Sequence, residues 1–297
     1  MTVSRAGTRV GFVGLGNIGK PMALRLAADD SVDLQVFDVA AEPVKELVDA
    51  GAVAAASVAA IGDWADVICV MVRDDDQVRA VLEEVVADLK PRDTSLPVQF
   101  VVHSTVAPET PAELEALVAT RCPFAIELLD APVSGGPMGA ADGSLAILVG
   151  GSEEAFKAAE PVLSVMGSKV VHVGPIGRGT QFKLARNLLH FVAFTAATEA
   201  ARLAEAAGLD LIALGEVVRH TDAITGGPGA ILHRDTTAPI EPGDFWMDVF
   251  EHVRALGEKD LAFAIELAER LDVEVPLSRL ALERLASGLG LQGAHDD

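Results

Sequence analysis

Arg9-Val10-Gly11-Phe12-Val13-Gly14-Leu15-Gly16-Asn17-Ile18-Gly19 begins as a β-rich apolar run and breaks into three glycines at G-x-G-x-x-G spacing. The run predicts a strand, and the residues from about Asn17 to Ala28 predict a helix. In that setting each glycine has a task. Gly14 permits a tight turn, Gly16 lets the backbone approach a pyrophosphate, and Gly19 lets helix and strand pack closely. The helix N-terminus, with Asn17 and Ile18, offers N–H groups and a partial positive charge to phosphate. Asp38 ends the next predicted strand, at roughly the 20-residue offset of a ribose-binding carboxylate. A carboxylate there accepts from ribose hydroxyls and repels a 2′-phosphate, and Val39-Ala40-Ala41-Glu42 supplies no Arg to hold one. The cofactor is therefore expected to be NAD rather than NADP. The alternative is that Asp38 only caps the following helix. Val72 and Arg73, where the apolar run from Val67 ends, are assigned to the same cofactor site.

Beyond this stretch, apolar runs recur at Leu34–Asp38, Val67–Val72, Val98–Val102, Phe124–Leu129 and Leu145–Val149, with helical patterns between them. Nearly unbroken apolar runs imply parallel strands covered on both faces, hence a doubly wound sheet of Rossmann type. Gly174-Pro175-Ile176-Gly177-Arg178-Gly179 is a joint rich in breakers. After it comes one long helical pattern from Thr180 to about Ala207, with Gly208 as its stop. Further helical patterns lie near Asp210–Thr221, Met247–Leu271 and Pro276–Ala286. The fold class expected is α/β: a nucleotide-binding domain over residues 1–174, then an all-α substrate and oligomerisation domain over 175–297. The last ten residues are expected to be loose.

The 297 residues carry 23 Lys and Arg against 44 Asp and Glu, a net charge of −21. That argues against nucleic acid or an anionic membrane as partner. No apolar stretch has the length of a membrane span and the N-terminus lacks a signal-peptide layout, so a cytoplasmic location is expected. The chain has no Tyr, which excludes reductases that use a Tyr hydroxyl as proton donor. Its two Cys, Cys69 and Cys122, lack metal-ligand spacing, so no metal site is expected and Cys69 is read as a buried thiol.

Without Tyr, a proton shuttle must be His or Lys. Lys183, Asn187 and His190 stand at i, i+4 and i+7 on the long helix, on one face, among apolar neighbours. Desolvation there lowers a Lys pKa and makes it a usable acid/base; a Lys snorkelling from a surface helix is the alternative. Ser134-Gly135-Gly136 offers a hydroxyl and bare N–H groups suited to a carboxylate, or is only a turn. His103-Ser104-Thr105 closes a strand at the edge where such folds bind ligands.

The whole chain resembles the β-hydroxyacid dehydrogenase family, which includes 3-hydroxyisobutyrate, tartronate semialdehyde and 6-phosphogluconate dehydrogenases. The resemblance rests on Gly11 to Ala23; on Asp130 to Gly136 with Gly139-Ala140, Gly143 and Gly150-Gly151; on Gly177-x-Gly179 with Lys183 and Asn187; and on Lys259-Asp260-Leu261. It implies that Lys183 is the catalytic acid/base with Asn187 as companion. It also implies that Ser134, Gly135 and Gly136 bind the substrate carboxylate, and that Thr105 and Lys259 lie near the nicotinamide. A homodimer or homotetramer through the helical domain is implied as well. The chain departs from the family in places. Thr180 stands where phosphogluconate enzymes carry His, Lys183 where imine reductases carry Asp or Tyr, and His103 where Asp or Asn is common. His190 and His252 replace apolar residues; each is either a substrate contact or a packed or surface side chain, and His190 is kept as a substrate-binding candidate. The expected activity is NAD-dependent, reversible oxidation of a small 3-hydroxy acid. The alternatives are an NADPH-dependent imine or semialdehyde reductase and an NAD-binding scaffold without turnover.

Overall fold

The computed structural model describes residues 7–87, 97–122 and 125–291. The chain alternates through β1 (Thr8–Val13), α1 (Gly19–Ala27), β2 (Val32–Phe37), α2 (Ala41–Asp49), β3 (Val53–Ala54), α3 (Val58–Trp64), β4 (Val67–Val70), α4 (Asp75–Ala87), β5 (Val98–Val102), α5 (Thr110–Arg121) and β6 (Ile126–Asp130). Then come β7 (Val133–Ser134), α6 (Gly136–Asp142), β8 (Ala146–Gly150), α7 (Glu153–Met166) and β9 (Lys169–Gly174). The remainder is helical: α8 (Arg178–Ala206), α9 (Leu211–Thr225), α10 (Phe245–Arg270) and α11 (Pro276–Gly288). Contacts divide the chain into two units, Met1–Arg186 and Asn187–Asp297, so α8 runs from one into the other.

The first unit is the doubly wound sheet expected. Its strand order is β3-β2-β1-β4-β5-β6-β8-β7, with β9 on β8. Pairing is parallel from β3 through to β6. The apolar runs reflect two covered faces. Val67 and Cys69 of β4 join a core with α1 and α7, while Ile68 and Val70 join a second core with α3, α4 and α5. Cys69 is fully buried, as expected, and burial pushes its thiol up to about 12.

The expectation of parallel strands needs correction at one of them, the run Leu145–Val149 that becomes β8. β8 runs antiparallel to both β6 and β7. β6 and β7 continue in one direction through Ala131-Pro132 and pair with β8 in a single register, Asp130 opposite Gly150 and Val133 opposite Ile147, and the short α6 between β7 and β8 brings the chain back antiparallel instead of carrying it over to a parallel neighbour. β3, β7 and β9 were not anticipated either: the first two span two residues each, and β9 has no fully buried residue to mark it. The strand expected from Phe124 begins at Ile126, and residue 124 lies outside the described residues.

In the second unit the helices match expectation within a few residues, and Gly208 ends α8 with a left-handed φ of 73°. Two small apolar clusters hold it. One joins Ile240, Phe250, Leu289 and Leu291; the other joins Ile265, Ala268 and Val275. Leu289 and Leu291 are buried, so the loose tail expected over the last ten residues does not begin at 288; residues 292–297 lie outside the described residues. α9 buries none of its residues.

Candidate active site

The order of strands reverses between β1 and β4, which opens a crevice at their C-terminal ends. A cavity of about 850 Å³ lies there. Gly14, Gly16, Asn17, Ile18, Gly19, Asp38, Val72 and Arg73, all expected at the cofactor, line it together. The glycines behave as their spacing required. Gly14 has φ 95°, and a Cβ on it would lie 2.2 Å from the Met71 carbonyl oxygen. A Cβ on Gly19 would come within 2.0 Å of the Gly14 oxygen, while at Gly16 no atom stands within 4 Å. The bare backbone at Gly16 thus opens on the cavity, which fits a pyrophosphate seat. The Asp38 carboxylate has a task not foreseen: Oδ2 accepts the Leu15 N–H at 2.6 Å, tying the glycine turn to the end of β2, and Oδ1 accepts from Ala40 at 2.8 Å. Each oxygen keeps a lone pair for a ribose hydroxyl. Ser104 clips the adjoining edge, accepting from the Val72 N–H at 2.9 Å and donating to the Val72 carbonyl at 2.8 Å.

The second constellation is also in the first unit. Lys183 is 8% exposed, on the second turn of α8. Its Nζ donates to the Ser134 hydroxyl at 2.9 Å, so two residues read separately from sequence meet. Burial, with the Arg186 charge beside it, lowers the Lys183 pKa from 10.5 to about 8. The snorkelling alternative fails, because the amine and not only its stem is inside. Gly135 and Gly136, with φ of 135° and 65°, carry the chain out of β7 in conformations that side chains resist. Both are exposed, with N–H groups next to the Ser134 hydroxyl in the chain. Asn187 is half-buried one turn beyond Lys183.

Thr105 is exposed and does not line the crevice. Lys259 belongs to the second unit, where its Nζ lies 3.2 Å from the Asp260 carboxylate. His190 packs against Phe194 and Phe191, with ring centroids 4.3 and 5.4 Å away. His252 is exposed on α10. His103 is buried. Desolvation drives its pKa down to about 4, and its Nδ1–H donates to the Ala131 carbonyl at 2.9 Å. The sequence also left Asp130 without a task. Its carboxylate is 2% exposed and accepts from Gly177 N at 2.7 Å and Thr180 N at 2.6 Å, at the start of α8. Burial raises its pKa, against the pull of those two N–H groups. The motif carried an acid at this position, but its donors lie some 50 residues along the chain.

Comparison with known proteins gives the setting. Residues 9–174 match the family described as the NAD binding domain of 6-phosphogluconate dehydrogenase. Residues 177–297 match the one described as NAD-binding of NADP-dependent 3-hydroxyisobutyrate dehydrogenase. The chain is 48% identical to an uncharacterized oxidoreductase of Mycobacterium tuberculosis, over 98% of this chain and 96% of that one. It is 33% identical to the NAD-dependent L-serine dehydrogenase of Pseudomonas aeruginosa, covering 92% and 90%. An oxidoreductase crystal structure from Mycobacterium avium superposes with a TM-score of 0.89 at 45% identity, covering 96% and 99%.

Proposed function

Since the chain belongs to the β-hydroxyacid dehydrogenase family of NAD(P)-dependent oxidoreductases, we propose that it oxidises a small 3-hydroxy acid, of the 3-hydroxyisobutyrate kind, to its semialdehyde or 3-oxo acid, reversibly and with NAD. The observation that carries this is the buried Lys183 amine at 2.9 Å from Ser134. Gly14, Gly16, Asn17, Ile18, Gly19, Asp38, Val72 and Arg73 hold the dinucleotide; Thr105 and Lys259 are assigned to its nicotinamide end. Bound NAD supplies the hydride acceptor.

The chain's own residues handle the proton and the carboxylate. The Ser134 oxygen accepts from Lys183, which leaves its O–H free to donate. That O–H and the Gly135 and Gly136 N–H groups hold the substrate carboxylate, turning the hydroxyl toward Lys183. The neutral Lys183 amine takes the hydroxyl proton in oxidation and, as ammonium, returns it in reduction. Asn187 orients the same hydroxyl, and His190 is the candidate for the far side of the substrate. The domain assignment proposed is residues 1–174 for NAD and 175–297 for substrate and oligomerisation. The enzyme is read as cytoplasmic; no helix among the described residues is long and apolar enough to cross a membrane.

A panel of 3-hydroxy acids, 3-hydroxyisobutyrate and L-serine included, assayed with NAD by NADH absorbance tests the reading. At least one acid is turned over, its methyl ester poorly, and Lys183→Ala lowers kcat by about 10²–10⁴-fold while NAD still binds. Retention of more than about a tenth of wild-type kcat by folded Lys183→Ala protein defeats the mechanism.

A further inference from the structure

Asp130 touches none of the reacting atoms, yet it is the most deeply buried acid among the described residues of the first unit, 2% exposed. Its two oxygens take one N–H each, from Gly177 and Thr180, at 2.7 and 2.6 Å. Thr180 lies in the first turn of α8, so the bonds cap a helix whose opening N–H groups have no partner within the helix. We propose that Asp130 is a positioning residue: its carboxylate clamps the first turn of α8 to the end of β6 and thereby sets Lys183 against Ser134. The proposal rests on Lys183 being the acid/base.

Both legs from the clamp to the reacting groups are short and stiff. On one side a single helical turn leads from Thr180 to Lys183. On the other, Ala131, Pro132 and Val133 are buried and lead to Ser134, with the Ala131 carbonyl held by His103. The surroundings leave no slack. A Cβ on Gly150 would lie 2.3 Å from Asp130 Oδ1, and one on Gly179 would lie 2.2 Å from the Asp130 carbonyl oxygen. A carboxylate is the group these donors need. Each oxygen answers one N–H, and the negative charge sits at the positive end of a 29-residue helix. An Asn has one acceptor oxygen, and its NH₂ would face the second N–H.

The test compares wild type, Asp130→Asn and Lys183→Ala, each in the full chain and each checked for NAD binding. Asp130→Asn is expected to lower kcat at least about tenfold with KM for NAD unchanged, because the acid/base is misplaced and the cofactor crevice is not. Hydrogen exchange of the peptide spanning residues 177–183 is expected to quicken. If Asp130→Asn does not fold, Asp130→Ser, which keeps an acceptor and takes less room beside Gly150, carries the same measurements. Wild-type kcat with wild-type exchange overturns the clamp. A fall in kcat without faster exchange over 177–183 overturns it too, since the loss then does not pass through α8. If Lys183→Ala itself turns over normally, the assignment of the lysine fails instead. Exchange alone then decides on Asp130: quickened exchange supports the clamp and unchanged exchange overturns it.

Discussion

An ammonium group enclosed by protein loses hydration that one Ser hydroxyl replaces only in part, and this is why Lys183 titrates at about 8 instead of 10.5. The sign for catalysis follows. Oxidation needs the neutral amine as base, so its rate should climb about tenfold per pH unit below the apparent pKa and level off above about pH 8. Reduction needs the ammonium and should fall through the same pH. His103 does not blur this limb, because with a pKa of about 4 it stays neutral across the range. Initial rates in both directions from about pH 6 to 10 check the prediction, and a flat oxidation profile would rule Lys183 out as base. Lys183 and Ser134 were each legible in the sequence, one from an i, i+4 spacing and the other from its glycine neighbours. Their hydrogen bond was not, since 49 residues separate them. Asp38 was legible as an acid at the end of β2, where it lines the cavity, whereas its bond to Leu15 follows from how β2 lies beside β1.

At the scale of elements, legibility followed burial. β4 and β5 are buried at every position and so read as apolar runs, broken only by Gln99 in β5, whereas β9 has only half-buried and exposed residues and gave no pattern. The ties between elements left still less trace. Glu199 of α8, 4% exposed, caps α11: its oxygens accept from Leu277 N at 2.7 Å, Ser278 N at 2.9 Å and the Ser278 hydroxyl at 2.7 Å. Burial works to raise its pKa, but the Ser278 hydroxyl and the two N–H groups outweigh it, and the net shift is downward from 4.5. A carboxyl with a depressed folded-state pKa stabilises fully above its unfolded value and loses that contribution as pH falls through the folded value. Glu199→Gln should therefore destabilise the protein by about 1–3 kcal/mol at pH 7. The gap from wild type should narrow once the pH drops below about 4. Urea unfolding at the two pH values measures this; equal midpoints for both proteins at pH 7 would show that the cap contributes nothing.

For the whole molecule, the two units differ in how they treat apolar side chains. The sheet unit buries them on both faces, while the helical unit leaves many outside: Leu188 is 69% exposed, Ile212 72%, Val217 60% and Ile224 72%. Isolated exposed apolar residues are ordinary, but a 15-residue helix with no buried position and several large apolar ones is a face that lacks its cover. A second copy of the chain is the partner we propose, in a homodimer or a homotetramer built from such dimers. Each chain carries −21, so association works against like-charge repulsion, and added salt should tighten it by screening that repulsion while the apolar contact persists. Sedimentation at micromolar protein should show an oligomer whose dissociation constant falls as salt rises. Ile212→Asp combined with Val217→Asp should shift the population to monomer. Both side chains are already exposed in the single chain, so its own packing is spared and the circular dichroism spectrum should not change. A wild type that sediments as monomer at every salt concentration would leave the helical unit's apolar faces bare in solution and refute the assembly.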